Sequence, residues 1–228
     1  MSKSVTEETL EQYDKKKNHY QSASIASAYD DIRFSKPSDR KRNRRKLAAV
    51  QKAITAAEGL GMQIKNALDI PCGTGRLFPL FANNNITFTG ADLSIEMMQI
   101  SKDRSWGNKL LKGMVRCDAE HLPFRDGSLD SVFSIRFMFH IPPQIRVKIL
   151  VEMCRVSRKW LIIDYRHRYT FKYWGKKLLS VLGLKKPPSY RFSVEDLKRE
   201  FNSAGIEIVK IIPTLRLFSD KWVVLGRK

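Results

Sequence analysis

No stretch of the chain approaches the roughly eighteen consecutive apolar residues that a membrane-spanning helix requires, and the opening run MSKSVTEETLEQYDKKK has no apolar leader core. The expectation is a cytoplasmic protein without a secretory signal. Cysteine is scarce: Cys72, Cys117 and Cys154 are scattered and form no Cys-x-x-Cys pair, which excludes a disulfide framework and a structural zinc site. They read as small apolar residues. Only 12 Gly and 9 Pro occur among 228 residues, too few for a collagen-like or low-complexity chain. Acid is also short. Asp and Glu number 23 against 42 Lys and Arg, a net charge of +19, and such a field recruits nucleic acid, anionic lipid or acidic ligands. The excess lies in the flanks, since residues 66–165 carry 13 basic and 10 acidic side chains whereas residues 166–228 carry 15 and 5. What remains, 43% hydrophobic and 29% charged, is the make-up of a globular domain with a sizeable core.

From Asn66 onward, short aliphatic or β-branched runs at 66–70, 87–93, 113–119, 129–136 and 159–165 alternate with helix-like segments at 76–84, 94–104 and 142–156. That rhythm predicts βαβ units and a parallel sheet. Pro143 stands near the first turn of the third helix, where a missing N–H is harmless. Past residue 165 comes a basic, aromatic segment, then a helix at 193–205 that Ser193 and Asp196 suit as an N-terminus and Gly205 as a C-cap. Two strands, 206–213 and 221–228, close the chain as an antiparallel hairpin at the sheet edge. The polar run 35–46, SKPSDRKRNRRK, reads as a solvated turn entering a helix. Cap helices with this basic segment are assigned to 1–48 and the main domain to 49–228, with a basic amphipathic lid inserted at about 166–191.

The first strand runs into Asp69-Ile70-Pro71-Cys72-Gly73-Thr74-Gly75-Arg76 and then a helix. Glycines there permit positive φ and remove the Cβ that would block a ligand, while N–H groups at a helix start can donate to it. A tight turn with no ligand is the plain alternative. Two more acids stand at successive strand ends: Asp92, where a doubly wound fold places the acceptor for ribose hydroxyls, and Asp118, from which a carboxylate can accept from an adenine amine. Each alone could be a solvated strand-end carboxylate, but three in succession point to the ligand edge of an open sheet. A dinucleotide does not fit, because Phe78 occupies the third glycine position and Asp69 would repel pyrophosphate. An acid there suits a cationic ligand lacking phosphate.

Four stretches in order, ALDIPCGTGR, GADLSIEMM, CDAEHLPFRDGSLDSVFS and YRFSVEDLKREFNSAGIEIVK, resemble the class I S-adenosylmethionine-dependent methyltransferases of the small-molecule type, over most of residues 29–228. The resemblance implies a Rossmann-like doubly wound α/β sheet of seven strands, order 3-2-1-4-5-7-6 with the last strand antiparallel, and S-adenosyl-L-methionine as cofactor. It implies contacts from Asp69, Gly73 and Gly75 to the methionine part, from Asp92 to the ribose, and from Asp118 and Ala119 to adenine, with Thr74, Leu93 and Met97 also among the cofactor-binding residues. The stretch HYQSASIASAYDDIRF is similar to that family's cap helix, with Tyr20, Tyr29 and Arg33 as candidates to close over the cofactor and Arg33 suited to its carboxylate. Pro71 departs from the pattern by replacing the first motif glycine, and RVSRKWLII replaces the usual turn before the fifth strand.

Displacement at an already activated methyl carbon needs chiefly positioning, and a base helps when the acceptor is a hydroxyl. His140, just after the fourth strand, is the candidate base, with a histidine bonded to backbone at a helix start as the alternative. Tyr165, Arg166 and His167 follow the fifth strand and are expected to face the acceptor, unless they are solvated loop residues, and Arg136 is either a wall residue or a contact to an acidic acceptor. Residues 166–191 contain no acid. Their apolar positions Phe171, Trp174, Leu178, Val181 and Leu182 recur at helical spacing, with Lys172 and Lys176 on another face. That pattern fits a lid packed on the domain, an amphipathic helix on an anionic membrane, or a stacking surface for RNA. The favoured reading is a lid, with Trp174 among the acceptor contacts, serving a hydrophobic or membrane-associated small molecule. An RNA methyltransferase, or a protein that only binds the cofactor, is the alternative; oligomeric state is not legible.

Overall fold

Pro37 opens the first long helix, α1 (Pro37–Gly59), which buries one stripe made by Lys46, Ala49, Val50, Ala53, Ile54 and Ala57. In this computed structural model the described residues are 11, 13, 17, 26, 28–30, 32, 35–105, 107–183, 190–215 and 219–228, and the side chains of residues 171, 172, 174 and 176 lie outside the description. Tyr20 and Arg33 lie outside it as well. After α1 come β1 (Asn66–Asp69), α2 (Phe78–Asn83), β2 (Thr87–Asp92), α3 (Ile95–Arg104), β3 (Leu111–Arg116), β4 (Leu129–Ser134), a 3-10 turn at Met138–His140 and α4 (Pro143–Val156). β5 (Ser157–Arg166), α5 (Phe171–Val181), α6 (Val194–Ser203), β6 (Glu207–Pro213) and β7 (Lys221–Arg227) complete the chain.

The sheet has seven strands in the order β3-β2-β1-β4-β5-β7-β6, with β7 antiparallel to both its neighbours and the other pairings parallel. This is the Rossmann-like order of the class I methyltransferases. Two cores flank it. On one face α1 and α2 cover Phe88, Phe133, Trp160, Ile162, Val223 and Leu225; on the other, α4 and α6 cover Val132, Leu161, Ile163, Tyr165 and Val224. The central parallel strands β1, β4 and β5 are largely buried on both faces, which leaves their carboxyl ends to a ligand. The α6 start is the expected one: Ser193 accepts from the Asp196 N–H at 3.1 Å while the Asp196 carboxylate accepts from the Ser193 N–H at 2.9 Å.

Two expectations are corrected. The boundary drawn between residues 48 and 49 falls inside α1, because the run 35–46 is its first turns rather than a separate segment, and Lys46 is only 4% exposed. The lid is a helix, capped by Thr170, whose side chain accepts from the Tyr173 N–H. Its described apolar positions do not pack on the domain: Leu178, Val181 and Leu182 are 62%, 77% and 61% exposed.

Candidate functional site

A cavity of about 230 Å³ opens at the carboxyl ends of β1, β2 and β4, lined by both loops of the acid motifs and roofed by α1 and the residues before it. Its floor is the β1–α2 turn. Gly73 (φ +53°) and Gly75 (φ +74°) sit in the left-handed region, and the two differ in what a side chain would meet. At Gly75 a Cβ would lie 2.9 Å from the Phe78 ring, so the turn is packed against the residue that replaces a third glycine. At Gly73 a Cβ would meet nothing within 4 Å, and Gly73 lines the cavity; its bare backbone leaves room for a ligand.

Asp69 and Asp92, at adjacent strand ends, are 2% and 8% exposed. Asp92 is oriented by its neighbours: Oδ2 accepts from the Gly73 N–H at 2.8 Å and Oδ1 from the Ser94 N–H at 3.0 Å. Burial pushes its carboxyl above the usual range despite those bonds. Asp69 is pushed well up, by burial first and then by Asp92. Among the described residues no ion pair reaches either acid. Two buried carboxylates without a protein counter-charge ask for a cation, and one with oriented spare lone pairs asks for hydroxyls. S-adenosylmethionine meets both demands with its sulfonium, its ammonium and its ribose. Leu93, Met97, Ala119 and Asp118 continue the lining toward β3, where Asp118 accepts from the Lys17 ammonium at 2.6 Å.

A methyltransferase domain model matches residues 68–161. Those residues form a methyltransferase domain, on a sheet of the class I order. Over 72% of its length and 76% of the relative's, the methyltransferase is 28% identical to the ubiquinone/menaquinone biosynthesis C-methyltransferase UbiE of Ralstonia pickettii. It is 34% identical to the methyltransferase GfsG of Streptomyces halstedii over 94 residues, 40% of this chain and 33% of that one. Its fold is shared with the magnesium protoporphyrin IX methyltransferase of Synechocystis PCC 6803 crystallised with SAH, at a TM-score of 0.74 and 15% identity over 95% of this chain and 99% of that one.

The methyltransferase places its other expected site residues unevenly. Thr74 lines the cavity, but its hydroxyl donates to Asp30 at 3.0 Å, and Asp30 also takes Arg76 at 2.9 Å and Arg104. Burial raises the Asp30 carboxyl, yet Arg104 and Arg76 outweigh it and hold it below the usual range. With Lys17 on Asp118 and Glu120, and Tyr13 on Glu120, these bonds fasten the N-terminal residues over the cavity. Tyr29, Arg136 and His140 line it too. Arg136 holds a left-handed φ of +71°, secured by its N–H donating to Asp164 Oδ1.

Tyr165 and His167 are corrections. Tyr165 is fully buried on the opposite face, edge-on to Phe192 at 4.9 Å, because alternation along β5 turns it to the α4 and α6 side. His167 stacks on Trp222 at 4.5 Å, donates from Nε2 to the Ser219 carbonyl at 2.7 Å and accepts at Nδ1 from Tyr169; burial holds its pKa below the ordinary value. It clasps a loop and stays out of the cavity. Arg166 lies over the Phe139 ring at 4.2 Å, beside the lining rather than in it. Trp174's side chain lies outside the described residues.

Sequence reasoning missed Lys46 and Asp164. Lys46, placed in a solvated run, is buried on the wholly buried Asp164 and lines the cavity. Its signal was present: Lys46, Val50, Ala53, Ile54 and Ala57 share one helical face. The cysteines hold no surprise. Burial first, then Asp92 and Asp69, keeps the Cys72 thiol well above its ordinary pKa, and among the described residues no cluster suits a metal.

Proposed function

We propose that the protein transfers a methyl group to a small apolar acceptor that it meets at an anionic membrane surface. The observation that carries this reading is α5, whose Leu178, Val181 and Leu182 stand exposed beside the exposed Lys177, on the segment that follows the acceptor side of the sheet. An apolar stripe flanked by lysines is the surface an anionic bilayer takes up. The name of the Ralstonia relative, a quinone-pathway C-methyltransferase, points the same way. Among the described residues no helix is long and apolar enough to cross a membrane.

Bound S-adenosylmethionine supplies an activated methyl carbon. The chain contributes orientation: Asp92 receives ribose hydroxyls, Asp69 stabilises positive charge, Gly73 leaves space, and Asp118 with Ala119 flanks the adenine, with Lys17 giving up its hold on Asp118. His140, on the cavity wall beyond β4, is placed to take a proton from a hydroxyl acceptor. The test is incubation of the protein with methyl-labelled cofactor and a lysate, followed by separation into lipid, polar metabolite, RNA and protein. Label is expected in the lipid fraction. Label in RNA would establish the alternative acceptor, and label in none would leave a cofactor-binding protein.

A further inference from the structure

The long helix α1 meets the cavity with one side only. Asn43, Lys46 and Leu47, on its inward face, line the cavity. Lys46 pairs with Asp164 near the carboxyl end of β5, whereas Met62, just past the helix, accepts from the indole N–H of Trp160 near the amino end of that strand. The helix therefore runs from the ligand edge of the sheet to the opposite edge, with its first turns over the cavity. On the outward side of those turns stand Arg40, Lys41 and Arg44, all exposed, and Arg45 is half-buried beside them. The one acid of the run 35–46, Asp39, is taken by Arg42.

This placement opposes what helix formation favours. The first turns carry the positive end of the helix dipole, where acids stabilise, and the last turn is where cations belong. In α1 the order is reversed, with Lys36, Arg40 and Lys41 around its start and no basic residue in its last turn. A local rule broken in this way marks a functional surface. Lys46 is accounted for by Asp164, whereas Arg40, Lys41 and Arg44 hold their charge in solvent.

Exposed apolar side chains gather at the same edge of the sheet. Ile32 precedes α1, Ile95 opens α3 at the end of β2, Tyr169 follows β5, and Leu178, Val181 and Leu182 lie on the helix that β5 leads into. Cations alone would suit any polyanion. Cations beside exposed apolar groups suit a bilayer, which offers phosphates and hydrocarbon side by side.

We propose that the outward face of the first turns of α1, formed by Arg40, Lys41 and Arg44, docks on the phosphates of an anionic bilayer, so that the cavity this helix roofs is held against the lipid. This rests on the membrane reading and assigns the charged half of that contact to α1, with α5 supplying the apolar half.

Sedimentation is measured with vesicles of phosphatidylcholine containing phosphatidylglycerol and with phosphatidylcholine alone. The chains compared are the wild type, Arg40→Gln/Lys41→Gln/Arg44→Gln, and Lys65→Gln/Lys109→Gln/Lys112→Gln, which removes the same charge from exposed residues around the amino ends of β1 and β3. The α1 variant is expected to bind anionic vesicles about a hundredfold more weakly than the wild type, roughly fivefold per cation. The second variant should stay within about threefold, because its lysines lie at the far edge and are screened from the bilayer. The melting temperature of the α1 variant should not fall, since its cations sit against the helix dipole. Its S-adenosylhomocysteine affinity should stay within about twofold of wild type, because none of the three residues lines the cavity. Equal losses in the two variants would reduce the effect to net charge and overturn the proposal. So would an α1 variant that loses binding to polyuridylate while keeping its hold on vesicles, which would give the face to RNA. An α1 variant that keeps its vesicle binding while Leu178→Ser/Val181→Ser loses it would overturn the proposal and leave the membrane reading standing on α5. A wild type with no preference for anionic vesicles would undo that reading and the proposal together.

Discussion

Asp69 is held against its own electrostatics. Its carboxyl is pushed well above the 3.8 of a free aspartate by burial and by Asp92. The folded chain therefore holds an extra proton between 3.8 and the raised value, and across that window the group's contribution to stability is lost as pH rises. Without cofactor, Asp69→Asn should stabilise the protein at pH 7 by about 1 kcal/mol or more, read as a higher urea midpoint, while removing S-adenosylmethionine binding. A variant less stable than wild type would mean that an unseen partner already neutralises Asp69. Cofactor affinity should fall as pH drops through the raised pKa, because the ionised acid is the form that binds a cation. A flat pH profile in calorimetry would count against that role.

At the scale of the element, α1 joins stability to the site through one buried pair. Lys46→Ala would strand a wholly buried Asp164 carboxylate and should destabilise the fold by about 3–5 kcal/mol, whereas Lys46→Met with Asp164→Leu should recover much of the loss. Denaturant unfolding of the two variants decides this, and equal losses in both would show that the charge pair is not the cause. Ser193→Ala, which breaks the capping box of α6, should cost about 1 kcal/mol, checked in the same way. The same elements show what was legible in the sequence. Strand-helix alternation and three strand-end acids were, because turn chemistry and the βαβ rhythm are local. The facing of Tyr165 was not: β5 is apolar on both sides, so alternation has no polar face to mark the inside. The burial of Lys46 was hidden by its basic neighbours, although its spacing to Val50 and Ile54 carried it. For α5 the spacing told which apolar residues align, and packing alone could tell that Leu178, Val181 and Leu182 stay uncovered.

The whole molecule sets one sign of charge around a cavity that holds both. Its +19 is carried largely outside the central strands, and α5 adds an uncovered apolar stripe to that field. Sedimentation with vesicles should show binding to phosphatidylglycerol-containing bilayers, weak binding to phosphatidylcholine alone, and loss of binding in Leu178→Ser/Val181→Ser, because insertion and charge attraction contribute separately. Equal sedimentation with both vesicle types would remove the membrane from the account.

The most direct measurement is a calorimetric titration of the wild-type chain and Asp92→Ala with S-adenosylmethionine and, separately, with NAD. The wild type should bind S-adenosylmethionine and not NAD, and Asp92→Ala should lose about 1–3 kcal/mol of that binding, as a buried charged acceptor for the ribose hydroxyls is removed. Equal affinity for NAD, or S-adenosylmethionine binding indifferent to Asp92→Ala, would contradict the assignment of the cofactor to this site.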